Sequence, residues 1–188
     1  MSALTRLAGS GRTAVDAVVT WTVADGRKGR RWREVVTQGD HVVHSLLLET
    51  DIDRRFSHLE LARVDGLWTL HPEADGTLHG NHVGREAPGI RHVSGLPFGR
   101  DDVVIVDGSP LSQAALVWGL AGSIDEGGDA SVHGVRIDPD GGLDRVVRIR
   151  VERSSRMTWR VGEGSPFDID EAGLPVFRDG KTWPLESA

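Results

Sequence analysis

The sequence predicts an all-β protein with little helix. Three observations carry that expectation. Apolar residues recur at alternate positions, six Asp-Gly dipeptides punctuate the alternating runs, and stretches of helical period are scarce. Alternation follows from strand geometry, because successive side chains point to opposite faces of a sheet. Asp-Gly supplies the positive φ that tight hairpin turns require. Strand, turn and strand in repetition predict an antiparallel meander.

The elements follow in order. Residues 1–12, with Gly9, Ser10 and Gly11 close together, are expected to be a flexible lead-in, and residues 13–188 a single β domain. The first strand is expected over Val15–Val23, with Val15, Ala17, Val19, Trp21 and Val23 on one parity. Trp32 and Val36 share a face in Arg31–Thr37, and His44, Leu46 and Leu48 share one in Val42–Thr50. Leu59 and Leu61 alternate with His58, Glu60 and Ala62, and Val103–Val106 reads as a strand covered on both faces. Val147, Ile149 and Val151 form a further set, continued by Met157, Trp159 and Val161. Leu111–Ala121 fits either a short helix or a strand with Leu116, Trp118 and Leu120 on one face. The strand is preferred. The segment Gly80–Arg100, with Pro88, Pro97 and five glycines, predicts a long loop of the kind that often carries function.

Composition narrows the classes. The 188 residues, 38% hydrophobic and 27% charged, suit one core and exclude a disordered chain. A formal charge of -6 argues against nucleic acid as a partner. The absence of cysteine excludes disulfides, thiolate metal sites and a cysteine nucleophile. No apolar segment follows the N-terminus as a secretory signal would, and the runs Leu46–Leu48 and Val103–Val106 are far too short to span a bilayer. A cytoplasmic protein with no membrane span is the expectation.

Catalytic patterns are weak. His79 and His82 have H-x-x-H spacing around Gly80 and Asn81, and His92 follows. Three imidazoles can hold a zinc ion with an open water position. On a strand end or loop this spacing defines no ligand geometry, so no metal is assigned. Polar loop residues lining the mouth of a ligand cavity are the alternative. The serines of Asp107–Gln113 lack a nucleophile-elbow pattern, and Asp107-Gly108 reads as a turn. Arg27–Arg33 packs five cations into seven residues and reads first as a solvated hairpin tip, with phosphate contact as the functional alternative. The Asp138–Asp140 turn lacks the ligands and closing glutamate of a calcium loop. Trp21, Trp32, Trp68, Trp118 and Trp159 each fall in an expected strand. They supply core, or line a cavity for an acyl chain or a sugar face.

The C-terminal third carries a family resemblance. Met157-Thr-Trp-Arg160 is followed by Phe167, then Ile169-Asp-Glu-Ala-Gly-Leu174, Phe177 and Trp183. Upstream stand Arg31-Trp32-Arg33, Asp65-Gly-Leu-Trp68, Leu78-His-Gly80 and Val104-Ile-Val-Asp-Gly-Ser-Pro110. In order and approximate spacing, over about residues 15–186, this resembles a bacterial family to which glycolipid binding is attributed, formerly a domain of unknown function. The family's proline-isoleucine-arginine-arginine run is absent here, where Leu111–Leu116 stands instead. The resemblance implies a curved antiparallel sheet forming a barrel or half-barrel with an apolar interior.

A binding protein for a lipid- or glycolipid-like amphipathic ligand is therefore expected, with Trp32, Trp68, His79, Asn81, His82, His92, Trp118 and Trp159 as ligand-binding residues. No catalytic residue and no cofactor are assigned. Two alternatives remain: a hydrolase using His79, His82 and His92, and an interaction or structural domain with a filled core.

Overall fold

The computed structural model describes residues 6–13, 15–85, 89–138 and 142–176. The protein is mostly β, with antiparallel sheets, one of which curls into a half-barrel. Pro88, Asp140-Gly141, Phe177, Asp179-Gly180 and Trp183 lie outside the described residues.

The chain forms two compact units. Unit one holds the described residues up to Gly9 together with Thr20–Asp102, and unit two holds Ser10–Val19 and the described residues from Val103 onward. An eight-stranded sheet runs in sequence order through β1 (Arg6–Arg12), β2 (Val18–Gly26), β3 (Gly29–Gln38), β4 (His41–Thr50), β5 (Phe56–Arg63), β6 (Gly66–Pro72), β7 (Thr77–Gly84) and β8 (Ile90–Pro97). The unit boundary falls within β1 and within β2. Within the segment read as a lead-in, Arg6–Arg12 form β1.

From β3 to β8 every pairing is antiparallel, as the meander pattern predicts. The expected faces hold. Trp32 and Val36, Leu46 and Leu48, and Leu59 and Leu61 are all buried. The first strand starts later than its pattern suggests, at Val18. Asp16 has φ +60, and Thr13 and Ala17 close a turn in which the Thr13 N–H donates to the Ala17 carbonyl at 2.9 Å. Val15, counted with the apolar face, is exposed.

The four described Asp-Gly pairs do different work. Gly76 lies in the turn between β6 and β7 with φ +81, and Asp65-Gly66 stands where the β5–β6 turn enters β6. Asp25-Gly26 closes β2, with Arg27 and Lys28 as the turn itself. Asp107-Gly108 leads from a strand into a helix.

Unit two holds a six-stranded sheet in the order β14-β13-β12-β11-β10-β9. These are β9 (Val103–Val106), β10 (Asp129–Ile137), β11 (Leu143–Arg153), β12 (Thr158–Val161), β13 (Phe167–Ile169) and β14 (Pro175–Val176). All its described pairings are antiparallel except β9 with β10.

That exception corrects one expectation. Residues Pro110–Leu120 form a helix, α1, and not a strand. Parallel neighbours need a crossover connection, and α1 supplies it between β9 and β10. Its start is well built. Ser109 is the N-cap and accepts from the Ser112 N–H at 3.0 Å, with Pro110 in the first turn. The Ser112 hydroxyl in turn accepts from the Val106 N–H at 2.9 Å, tying α1 back to β9. Leu111 and Ala114–Val117 are all buried, so no polar stripe interrupts the apolar run. Without that stripe the helical period is invisible in sequence. At the far end the Arg153 guanidinium donates to the carbonyls of Ala121 (3.1 Å) and Ile124 (2.7 Å). A cation there offsets the negative end of the helix dipole. The same group lies 5.0 Å from the ring centroid of Trp159.

The Ile169–Leu174 motif is a turn with a structural task. The Asp170 carboxylate accepts from the N–H groups of Ala172 (2.8 Å) and Leu174 (2.9 Å), and so carries the chain from β13 into β14. Gly173 has φ +77, and a Cβ there would lie 2.1 Å from Trp118 Cδ1. Only glycine meets both demands. Gly173→Ala is expected to lower the unfolding free energy by about 2–4 kcal/mol, from left-handed strain plus overpacking. Urea unfolding followed by tryptophan fluorescence measures it; an unchanged midpoint would contradict the packing described.

Candidate functional site

Strand register decides which of the expected ligand-binding residues can meet. Directly opposed residues share a face, so one row crosses unit one as Glu34, Leu46, Leu61, Trp68, His82 and Arg91. Beside it runs a second row of Trp32, Leu48, Leu59, Leu70, Gly80 and Val93. Trp32, Trp68, Leu59 and Leu70 are fully buried.

His82 belongs to this buried face. Its imidazole stacks on the Trp68 indole, with centroids 4.2 Å apart and planes 23° from parallel. The Arg91 guanidinium lies 5.1 Å from the Trp68 centroid. His79 and Asn81 alternate with His82 and occupy the opposite face, where His79 opposes His71. His92 opposes Asn81, and its Nδ1 lies 2.8 Å from Asn81 Oδ1. The three imidazoles therefore do not converge, and among the described residues no group of three or more His, Asp or Glu is placed to hold a metal ion. On a strand, a three-residue spacing separates side chains to opposite faces.

The predicted long loop is a hairpin. Most of Gly80–Arg100 lies in β7 and β8, with a register irregularity opposite Leu78 and Gly80 that accommodates Gly95 at φ +67. A Cβ on Gly80 would lie 1.8 Å from the Thr69 carbonyl oxygen, so this glycine serves close packing within a strand. Trp118 on α1 and Trp159 on β12 belong to unit two, where Gly173 and Arg153 respectively pack against them.

Several polar residues on the buried face were not singled out from sequence. Glu34 (1% exposed) and His44 (4% exposed) form a carboxylate–imidazole pair, Nε2 to Oε1 at 2.7 Å. Arg63 opposes His44 across β4 and β5, and its Nε stands 3.7 Å from Asp65 Oδ1, too far for a hydrogen bond. The usable signal was parity. Glu34 shares the parity of Trp32 and Val36, and His44 that of Leu46 and Leu48, so each polar group falls in an apolar register.

Three polar atoms near Trp68 are buried without a hydrogen-bond partner: Trp68 Nε1, His82 Nε2 and Asp65 Oδ1. His82 Nε2 sits against the β5–β6 turn, 2.9 Å from where a Cβ on Gly66 would project. Burial holds the His82 imidazole below its ordinary pKa, the Arg91 charge adds to that, and Asp65 opposes it. The ring is therefore neutral near pH 7, able to donate one hydrogen bond and accept one.

No protein-family model matches the chain, and no curated protein matches it. The resemblance to the glycolipid-binding family thus has no family match behind it. Among solved structures the chain is similar to a DUF1089 family protein from Pseudomonas aeruginosa, at 16% identity and a TM-score of 0.45, covering 94% of this chain and 89% of that one. No helix among the described residues is long and apolar enough to cross a membrane.

Two outcomes follow from the buried polar groups. Glu34→Ala is expected to cost about 2–4 kcal/mol, because it strands a buried imidazole, whereas Glu34→Leu with His44→Leu recovers most of that loss. Chemical denaturation of both variants checks it. For His82, a depressed folded pKa means the unfolded chain takes up the proton first. Its contribution to stability is complete above the unfolded value of about 6.5 and declines as pH falls from there toward the folded value. An NMR titration should place His82 below the ordinary range, and Arg91→Gln should raise its midpoint.

Proposed function

We propose that the chain is a non-catalytic binding protein for an amphipathic, lipid- or glycolipid-like ligand, with its polar part recognised at Trp68, His82 and Arg91. One observation carries the reading. Beside a broad apolar face stand an indole N–H and an imidazole nitrogen that no protein group satisfies. Ligand sites are mostly apolar with a few placed polar groups, and orphaned buried polar atoms call for a partner. Arg91 is exposed at the edge of the same row and supplies a charge-assisted donor. Trp32 extends the apolar face two strands beyond Leu59. His79, Asn81 and His92 lie on the other face and are left out of this site, as are Trp118 and Trp159 of unit two.

Catalysis is the weaker reading on geometric grounds. No serine or threonine is within hydrogen-bond reach of His82 or His44 among the described contacts, and the histidines of the hydrolase alternative diverge. A protein-interaction reading draws on β8, an edge strand exposed over most of its length. Edge strands can accept a partner strand, but the irregularity at Gly95 is a device that discourages such pairing.

Native mass spectrometry of the full chain, with tryptophan fluorescence across fatty acids, phospholipids and glycolipids, tests the proposal. A bound amphiphile is expected, and His82→Ala or Arg91→Ala should weaken its binding by about tenfold or more. A ligand-free mass with no fluorescence response to any lipid would sink the reading.

A further inference from the structure

We propose a second, separate site: the cleft at the β2–β3 turn takes a small organic phosphate, its phosphoryl group held by Arg27 and Lys28. The cleft is open to solvent on one side and has a volume of about 490 Å³, suited to a small ligand. Arg27 and Lys28 are the two turn residues between Gly26 and Gly29, and both line it. Arg30 and Arg31 line it too, as do the carboxylates of Asp25 and Glu49.

Both carboxylates are already engaged. Arg30 grips Asp25 as a fork, with Nε to Oδ1 at 2.6 Å and Nη2 to Oδ2 at 3.0 Å. Arg31 Nε donates to Glu49 Oε1 at 2.6 Å. Four cations against two carboxylates leave an excess of two positive charges. Among the described residues neither Arg27 nor Lys28 has an ion-pair partner. A phosphate monoester near its dianionic form matches that excess, and an arginine fork suits its oxygens.

The turn is also held in place, unlike a free solvated tip. Arg30 is only 8% exposed and lies 5.1 Å from the Trp32 ring centroid. Gly29, at φ +131, presses so closely on β4 that a Cβ there would fall 1.9 Å from the Thr50 carbonyl oxygen. Ala24, Thr50 and Ser57 also line the cleft, and the long side chains of Arg27 and Lys28 carry apolar stems. Such walls accept an organic group as well as its phosphate. None of the residues lining the cleft is Trp68, His82 or Arg91, so the two sites are tested by different substitutions.

Isothermal titration calorimetry on the full chain tests the site, with adenosine 5′-monophosphate and inorganic phosphate as soluble probes and sedimentation of phosphatidylglycerol vesicles as the lipid arm. The soluble ester should bind, more weakly as salt rises. Arg27→Glu with Lys28→Glu should weaken it by about tenfold or more, and Lys28→Gln by less, while His82→Ala leaves it unchanged. Both substituted residues are exposed turn positions, and circular dichroism confirms folding. Undiminished binding in the double variant overturns the proposal. So does failure of both soluble probes to bind up to about 10 mM. Sedimentation with vesicles alone also overturns it, and assigns the cationic turn to a membrane surface instead.

Discussion

The row Trp32, Leu48, Leu59 and Leu70 sets the register of four strands at once. Because side chains alternate with period two, a slip of one residue in any of these strands would move its apolar set to the opposite face. Burying one large apolar side chain is worth about 1.5–3 kcal/mol, so such a slip forfeits several such contributions together. The Glu34–His44 pair adds a second penalty. Displaced by one residue, each polar group loses its partner. Apolar burial therefore chooses the face, and the polar pair punishes the alternatives.

Much of this was legible in sequence. The alternating runs located the buried faces of β3, β4 and β5 residue by residue, because those strands are buried on one side and wet on the other. Legibility failed where that asymmetry ends. Helix α1 is covered round most of its circumference, so its apolar residues show no 3.6 period. At Val15 a local turn overrides an apolar pattern. In Gly80–Arg100, glycine and proline read as loop chemistry, yet Gly80 is required by the nearness of Thr69 and Gly95 by a strand irregularity. The same residue type serves opposite purposes, and only the neighbouring strand distinguishes them.

The candidate site was legible in part. Tryptophan content drew attention to Trp32 and Trp68, and the H-x-x-H spacing to His82. Spacing could not group them correctly, because convergence depends on which strands are neighbours. Register joins His82 to Trp68 and Arg91 and parts it from His79 and His92. Arg91 carries no motif at all, and its place in the row comes wholly from the pairing of β7 with β8. The cationic turn was visible as a charge cluster. What sequence could not show was that Asp25 and Glu49 occupy two of the four cations lining the cleft and leave Arg27 and Lys28 over.

The division of the N-terminal segment has a consequence for how the chain is made. Ser10–Val19 is synthesised early but belongs to unit two, and all of Thr20–Asp102 intervenes before the rest of that unit emerges. From β3 to β8 each strand pairs with its predecessor, so this sheet can assemble from local contacts as it leaves the ribosome. The ends of Ser10–Val19 lie in β1 and β2 of that sheet, whereas unit two is completed only when β9 onward has emerged. A nascent chain stalled near Asp102 would therefore hold the whole eight-stranded sheet, including the parts of β1 and β2 that the finished protein counts in unit two, before any other strand of that unit exists.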